Sequence, residues 1–176
     1  MAFDEQASKI SLILSDVDGV LTDGGIIFDN EGIETKRFHI RDGLGIKVWQ
    51  RAGLQFGIVT GRSSNVVQIR AQELGIRIVR QGFEEKLPIV RDIISSLALS
   101  PDQVCYIGDD LPDIPAMQYV GMPVAVADAA IDVRNAASFI SECPGGHGAI
   151  REVIERILRT QGKWTEVLSR FSAHEA

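Results

Sequence analysis

Short apolar runs that alternate with helical patterns dominate this sequence. The runs are roughly four to eight residues long and are bounded by glycine or aspartate, as buried parallel strands are; they cover residues 10–15, 54–60, 76–80, 104–108 and 123–127. Between two of them, Leu87, Val90 and Ile94 recur at helical spacing. Repeated strand–helix–strand units with right-handed crossovers form a parallel sheet covered by helices on both faces. We therefore predict an α/β fold with a doubly wound, Rossmann-like parallel sheet.

Two stretches depart from this alternation. Residues 24–41 hold two semi-apolar arms around the turn sequence 29–32, Asp-Asn-Glu-Gly, which predicts a β-hairpin insert with Phe28 and Phe38 at a subunit interface. Residues 145–148, Gly-Gly-His-Gly, predict a mobile hinge before an amphipathic helix. Residues from about 163 to 176 read as a weakly held tail. Since no repeat or linker interrupts the chain, residues 1–176 are predicted to form a single domain.

Composition and charge exclude several classes of function. The chain has 176 residues, with 18 Lys and Arg against 24 Asp and Glu, and its formal net charge is −6. An acidic chain without a basic block is a poor nucleic-acid binder. The apolar runs are too short to span a membrane, the first residues do not resemble a signal peptide, and the two cysteines are far apart. We expect a cytoplasmic protein that binds neither nucleic acid nor membrane.

Polar residues follow several of the predicted strands directly. Asp16 and Asp18 follow the first strand, Thr60 ends the second, and Asp109 follows the fourth. Ligands of open α/β sheets bind outside the carboxyl ends of the strands. Two carboxylates about 4 Å apart there repel each other by roughly 4 kcal/mol at an effective dielectric of 20. A hard divalent cation relieves this repulsion, and Mg²⁺ is the natural choice beside a phosphate.

The spacing of Asp16 and Asp18 suits phosphate chemistry. Residues two apart in extended backbone point to the same side, and Gly19 lets the chain turn immediately afterwards. One carboxylate can therefore attack as a nucleophile while the other donates a proton to the leaving group. Thr60, with nearby backbone N–H groups, and Lys86 at a helix start offer partners for phosphate oxygens.

Four motifs in this order carry a family resemblance. Asp16-x-Asp18-Gly19, Thr60-Gly61-Arg62, Lys86 and Gly108-Asp109-Asp110 resemble the motif set of the haloacid dehalogenase superfamily of phosphohydrolases, over roughly residues 10–140. The resemblance implies that Asp16 forms an aspartyl-phosphate and that Asp18 acts first as general acid and then as base.

The same resemblance implies the groups that hold the phosphate and the metal. The phosphoryl group is expected to be held by Thr60, Gly61 and Lys86. Mg²⁺ is expected to be bound by Asp16, the backbone carbonyl of Asp18, and Asp109, with Asp110 or Asp113 in support.

The lengths of the gaps between the motifs indicate which branch of the superfamily the chain resembles. Neither gap has room for a large cap domain, so we expect a capless enzyme whose site is closed by a neighbouring subunit. The chain resembles the small, tetrameric, hairpin-bearing branch that hydrolyses an eight-carbon acidic sugar 8-phosphate in lipopolysaccharide precursor synthesis. This implies a homotetramer in which the tail reaches a neighbour's site. The substrate-binding positions it implies are His39, Ile40, Arg41, Asp42, Gly43, Lys47, Arg62 and Arg70.

Departures from the family pattern leave alternatives open. Glu84 and Glu85 precede Lys86 where asparagine is common, His147 replaces an arginine, and His39 stands where asparagine is frequent. A related branch that acts on nine-carbon acidic sugar 9-phosphates shares the same core. A signalling receiver domain is an alternative of another class, since it also combines a phosphorylated aspartate, a threonine, a lysine and Mg²⁺. Its acceptor lies on a middle strand, however, whereas Asp16 follows the first.

Overall fold

A six-stranded sheet forms the centre of the computed structural model, which describes residues 3–172. The strands of the chain, including two in a separate hairpin, are β1 (Leu12–Ser15), β2 (Ile27–Phe28), β3 (Glu34–Thr35), β4 (Gln55–Thr60), β5 (Ile78–Gln81), β6 (Val104–Gly108), β7 (Met122–Ala125) and β8 (Phe139–Ile140). The helices are α1 (Phe3–Ala7), α2 (Ile40–Arg51), α3 (Asn65–Leu74), α4 (Lys86–Ser96), α5 (Ile114–Tyr119), α6 (Ile131–Ala136), α7 (Ala149–Thr160) and α8 (Trp164–Ser169). Every predicted apolar run overlaps a strand of the sheet.

The strand order is β5-β4-β1-β6-β7-β8, and every neighbouring pair is parallel. The chain therefore builds one half of the sheet outward from β1, then crosses back and builds the other half from β6. The predicted α/β fold with a doubly wound parallel sheet is confirmed. In the register, Ser15 pairs with Ile58 on one side and with Ile107 on the other. The carboxyl ends of β1, β4 and β6 consequently meet at one rim of the sheet.

The core lies between this sheet and its helices. Every residue of β1 and β6 is buried, which explains why these strands read as continuous apolar runs. The predicted apolar face of α7 is confirmed, because Ile150, Val153, Ile154, Ile157 and Leu158 are all fully buried. None of the helices formed by residues 3–172 is long and apolar enough to cross a bilayer.

The insert between β1 and α2 is a hairpin, but it is shorter than predicted. Strands β2 and β3 pair antiparallel, and the Asp29 carboxylate accepts the N–H groups of Glu31 and Ile33 at 2.9 and 2.8 Å, which closes the turn. Residues 40 and 41 belong to α2 instead, with His39 as the extended residue before the helix. The insert has only two strands of two residues each and forms no separate domain, so the capless prediction agrees with the structure.

The glycine-rich segment 145–148, predicted as a hinge, packs against the loop after β1. A Cβ on Gly145 would lie 1.8 Å from the carbonyl oxygen of Gly19, and the Gly146 N–H donates to the carbonyl of Val20 at 2.9 Å. The segment needs glycine because it lies directly on the loop after β1. The predicted tail begins with α8, whose Trp164 is 6% exposed, and its last residues, 173–176, lie outside the described residues.

Candidate active site

Three carboxylates converge at the sheet rim. Asp16 follows β1, Asp109 follows β6, and Asp113 ends the short 3₁₀ turn Leu111–Asp113. One oxygen from each lies within 4.8 Å of the others. We call these three residues the acidic cluster. The juxtaposition of Asp16 and Asp109 follows from β1 and β6 being neighbours, where the strand order reverses.

Lys86 lies inside the acidic cluster. Its Nζ is 2.6 Å from Asp16 Oδ2 and 2.6 Å from Asp113 Oδ1, and its side chain is 3% exposed. Burial lowers the pKa of Lys86, but the two ion pairs outweigh burial and leave its pKa above the ordinary value. The lysine is therefore charged at neutral pH and stands beside Asp16, where an incoming phosphoryl group would need a cation.

Asp113 organises this centre. It is fully buried, and its Oδ1 accepts hydrogen bonds from Lys86 and from the Tyr106 hydroxyl at 2.8 Å. Its Oδ2 accepts the N–H groups of Asp109 and Asp110 at 3.0 and 3.3 Å. Both oxygens are thus engaged by protein donors. Asp113 is better suited to orienting Lys86 and the Asp109 loop than to holding a metal directly.

Asp16 and Asp109 have the properties of cation ligands. Burial, together with the Asp113 carboxylate, raises the pKa of Asp16 to about 6 and that of Asp109 to about 8. Asp109 Oδ1 is buried and has no hydrogen-bond partner within the described part of the chain. These carboxylates resist ionisation because they are desolvated and lie close together. A divalent cation would favour their charged forms, so the pair is suited to bind one. The backbone carbonyl of Asp18 stays a predicted further ligand.

Gly19 allows the Asp109 carboxylate to lie directly against the loop after β1. Its φ is +91°, and an added Cβ would lie 2.0 Å from Asp109 Oδ2. A side chain at this position would strain the turn and push Asp109 away from β1.

The proposed acid/base residue Asp18 lies beside the hairpin. Lys36 donates to Asp18 Oδ1 at 2.5 Å, and Arg62 Nε lies 3.8 Å from Asp18 Oδ2. Sequence reasoning did not find Lys36 or its partner Glu34, because their approach depends on how the hairpin folds over the rim. Glu34 and Lys36 are two of several charged residues in the hairpin sequence, so the pattern alone did not single them out.

The predicted phosphate-binding residues share the rim with the acidic cluster. Thr60 ends β4 and is 2% exposed, and Gly61 follows it immediately. The carbonyl of Thr60 accepts the N–H of Phe83, which ties this strand end to the loop that leads to Lys86.

Most of the predicted substrate-binding residues lie around α2. His39 and Ile40 stand at its start, and Ile40 is 78% exposed. Asp42 is buried and accepts the N–H of Arg151 at 2.8 Å, so in this chain it ties α2 to the start of α7. Burial raises the pKa of Asp42 above its ordinary value.

The remaining predicted cations lie on different elements: Arg41 and Lys47 on α2, Arg62 after β4 and Arg70 on α3. Arg70 lies over Gly43, stacks on the ring of Phe38 and pairs with Glu73 at 2.8 Å. Within residues 3–172, no ion pair joins the acidic cluster to Arg41, Lys47 or Arg70. Among the described residues of one chain, Arg62 is the only predicted substrate-binding cation that lies within 4 Å of a proposed catalytic carboxylate, Asp18.

The departures from the family pattern lie outside the acidic cluster. Glu84 and Glu85 are exposed, and Glu85 is the residue before α4. The His147 Nδ1 lies 2.7 Å from the carbonyl oxygen of Gly145, within the glycine segment. These residues therefore leave the geometry of Asp16 and Lys86 intact.

Sequence comparison identifies relatives along nearly the whole chain. The family model described as haloacid dehalogenase-like hydrolase matches residues 76–154. The chain is 43% identical over 161 residues to 3-deoxy-D-manno-octulosonate 8-phosphate phosphatase KdsC of Escherichia coli K12, covering 92% of this chain and 86% of that protein. It is 42% identical over 159 residues to the protein of the same name from Yersinia pestis, covering 90% and 85%.

Solved structures agree with these relatives. The crystal structure of 3-deoxy-D-manno-octulosonate 8-phosphate phosphatase from Moraxella catarrhalis, in complex with magnesium ion, phosphate ion and KDO molecule, matches with a TM-score of 0.94 at 39% identity, covering 96% of this chain and 97% of that one. The cobalt-bound form of the phosphatase from Haemophilus influenzae matches with a TM-score of 0.87 at 41% identity, covering 90% and 92%.

Sequence identity and coverage this high show that these proteins share a family with this chain and not only a fold. The prediction of a haloacid dehalogenase-type hydrolase is confirmed, and the receiver alternative finds no support among these relatives. The chain therefore belongs to the 3-deoxy-D-manno-octulosonate 8-phosphate phosphatases, within the haloacid dehalogenase-like hydrolases.

Proposed function

We propose that this chain is a Mg²⁺-dependent phosphatase that hydrolyses 3-deoxy-D-manno-octulosonate 8-phosphate to the free sugar acid and phosphate. One observation carries the proposal: Asp16 lies against the Lys86 ammonium at 2.6 Å and shares the rim with Asp109, in a chain 43% identical to phosphatases of that name. We infer that the reaction belongs to lipopolysaccharide precursor synthesis in the cytoplasm.

The proposed reaction assigns a distinct step to each carboxylate at the end of β1. Asp16 attacks phosphorus, and the bond to the sugar oxygen breaks as Asp18 gives that oxygen a proton. Asp18 then takes a proton from water, whose oxygen attacks phosphorus and releases Asp16. Lys86, Thr60 and Gly61 hold the phosphoryl oxygens throughout. A Mg²⁺ ion held by Asp16 and Asp109 would supply positive charge beside the phosphoryl oxygens.

We infer that the working unit is a homotetramer of single-domain chains, with the hairpin at the subunit interface. Apolar hairpin residues are half exposed in one chain: Ile26 55%, Ile27 50%, Phe28 55% and Ile33 57%. A cluster of this kind marks an interaction surface. Phe38, also predicted at the interface, is partly buried against the core of its own chain. A neighbouring copy would supply the substrate-binding cations that, among the described residues of one chain, form no ion pair with the acidic cluster.

A substrate comparison tests the function. Purified protein is assayed for phosphate release from 3-deoxy-D-manno-octulosonate 8-phosphate and from nine-carbon acidic sugar 9-phosphates, with Mg²⁺ and with a chelator. We expect the eight-carbon ester to have the highest kcat/KM and the chelator to remove activity reversibly. A preference for a nine-carbon ester would establish the alternative substrate, and no Mg²⁺-dependent hydrolysis of either would refute the proposal.

Magnesium binding is expected to weaken as pH falls from 8 to 6. The metal-free folded protein has Asp16 and Asp109 pKa values of about 6 and about 8. Both pKa values lie above those of the same residues in the unfolded chain. The folded state therefore binds more protons than the unfolded state between pH 6 and pH 8, and its stability falls as pH rises. Protons and Mg²⁺ compete for the same oxygens, and the affinity should be about tenfold or more lower at pH 6 than at pH 8.

Isothermal titration calorimetry with MgCl₂ at the two pH values measures this effect. The variant Asp109→Asn serves as the matched control, and we expect it to bind Mg²⁺ weakly at both. Equal affinity of the unaltered protein at pH 6 and pH 8 would contradict the assignment of Asp109 as a ligand.

The substitution Phe28→Asp is expected to dissociate the tetramer. It places a charge in the apolar hairpin surface, where burial against another copy would leave that charge unpaired. Sedimentation velocity at micromolar protein should show a smaller species than the unaltered protein, with reduced sugar phosphatase activity. Ile131, which is 59% exposed on α6, provides the control substitution Ile131→Asp. A tetramer that persists in the Phe28 variant would place the interface elsewhere.

A further inference from the structure

Lys36 is a buried cation for which the sequence motifs provide no role. Its side chain is 1% exposed, although it is carried by a hairpin whose apolar residues are half exposed. Its Nζ lies 2.5 Å from Asp18 Oδ1 and 3.2 Å from Glu34 Oε1. The hairpin therefore contributes a charged group directly to the residue proposed as acid and base.

The hairpin strand presents two charges inward by simple alternation. Glu34 and Lys36 are two residues apart along the extended arm that begins with β3, so both face the rim of the sheet. Arg37 points the other way and is 69% exposed, where it pairs with Asp23. The inward orientation of Lys36 is thus specific to its position, not a general property of basic residues on this arm.

Glu34 fixes the position of the lysine. Its Oε1 accepts from Arg62 at 2.9 Å, and its Oε2 accepts from the Ser64 hydroxyl at 2.5 Å. The hydrogen bond from Ser64, followed by that from Arg62, lowers the pKa of Glu34 despite the opposing effect of burial. An anion held by the loop after β4 therefore holds Lys36 against Asp18.

The two oxygens of Asp18 consequently differ. Oδ1 is occupied by Lys36, whereas Oδ2 is buried and has no hydrogen-bond partner among the described residues. The Arg62 Nε lies 3.8 Å from Oδ2, beyond hydrogen-bonding distance. One oxygen is anchored, and the other is left available in the site.

We propose that Lys36 is a positioning residue for proton transfer: it anchors Oδ1 of Asp18 so that Oδ2 is the oxygen that gives the proton to the departing sugar oxygen. This inference rests on the proposed role of Asp18. Without the anchor, the carboxyl group rotates and presents either oxygen, and Oδ2 loses its fixed direction. Glu34 acts through Lys36, so its loss should have a similar but smaller effect.

Leaving-group dependence tests the proposal, because only a poor leaving group needs a proton as it departs. The constant kcat/KM reports the steps up to release of the leaving group, so it is measured for the sugar 8-phosphate and for 4-nitrophenyl phosphate, whose phenolate leaves unprotonated. We expect Lys36→Met to lower kcat/KM about 100-fold for the sugar phosphate and less than about threefold for the aryl phosphate. Glu34→Gln should show the same selectivity with a loss of about tenfold.

Two further variants separate positioning from a structural role. Arg37→Met removes the outward-facing cation of the same arm and should leave both constants within about twofold. In the background of Asp18→Asn, adding Lys36→Met should cost less than about threefold, because the group that Lys36 positions is already gone.

The outcomes distinguish a positioning role of Lys36 from phosphoryl binding and from support of the fold. Equal losses on both esters, or full additivity with Asp18→Asn, would overturn the proposal and indicate that Lys36 binds the phosphoryl group or supports the fold. If Lys36→Met does not fold, Glu34→Gln decides, and a uniform loss in that variant would equally overturn the positioning role. Absence of Mg²⁺-dependent hydrolysis of both esters by the unaltered protein would refute the proposed function itself.

Discussion

Replacing Asp16 with asparagine is expected to abolish turnover and preserve the fold. The amide is not a nucleophile toward phosphorus, so kcat should fall about 10⁴-fold or more for every phosphate ester. Asparagine has the same shape, and its oxygen can still accept the N–H of Val17, which Asp16 Oδ1 accepts at 2.6 Å. Lys86 also keeps its ion pair with Asp113 at 2.6 Å. The inactive protein should therefore unfold cooperatively at a temperature close to that of the unaltered chain.

Steady-state assays on the sugar phosphate and on 4-nitrophenyl phosphate, together with a thermal melt, check this prediction. Asp132, an exposed carboxylate on α6, gives the control substitution Asp132→Asn, which should change kcat by less than about twofold. More than about 1% of the original turnover in the purified Asp16→Asn protein would show that another group attacks phosphorus.

Replacing Asp113 with alanine is expected to cause the largest loss of stability. The change leaves the buried Lys86 ammonium with one anion instead of two, and it removes the acceptor of the Tyr106 hydroxyl and of the Asp109 N–H. Removing one partner of a buried ion pair costs about 3–5 kcal/mol. For a chain of this size, we expect the melting temperature to fall by roughly 10 °C or more.

Urea unfolding of the Asp113→Ala protein measures the free-energy change directly. Tyr106→Phe is the matched comparison, because it removes a single hydrogen bond to the same carboxylate and should cost about 1 kcal/mol. A loss below about 1 kcal/mol in Asp113→Ala would mean that the network around Lys86 rearranges easily and does not fix the site.

The sequence was sufficient to predict five of the six strands of the sheet and the acidic rim, but not the two-residue edge strand β8. Strands buried on both faces read as continuous apolar runs, and the polar residues that end them stand out against that background. The placement of Asp16 beside Asp109 followed from the general rule for ligand sites in open parallel sheets, and the structure brings these residues together.

The hairpin and helix α2 show where sequence reasoning lost accuracy. Gly43 and Gly45 lower the helical propensity of α2, and neighbouring side chains lie close to both: a Cβ would be 2.4 Å from the Arg70 guanidinium and 3.1 Å from Arg151 Cδ, respectively. These contacts come from distant parts of the chain. The local sequence pattern therefore predicted a hairpin that was too long and included the first residues of α2.

The contacts of Lys36 and Asp42 were beyond sequence reasoning for the same reason. Lys36 reaches Asp18 through the fold of the hairpin, and Asp42 reaches the N–H of Arg151 across 109 residues of chain. Neither contact has a local sequence signature. The substrate-binding assignments around α2 stay predictions, since their test requires bound substrate and the assembled subunits.

A crystal structure of the protein with Mg²⁺ and beryllofluoride, a mimic of a phosphoryl group, tests the nucleophile and the metal site together. We predict beryllium bonded to a carboxylate oxygen of Asp16, with the metal contacting both Asp16 and Asp109 at roughly 2.0–2.1 Å. Beryllium bonded to a different side chain, or a metal bound away from Asp109, would contradict the assignment of this rim as the reaction centre.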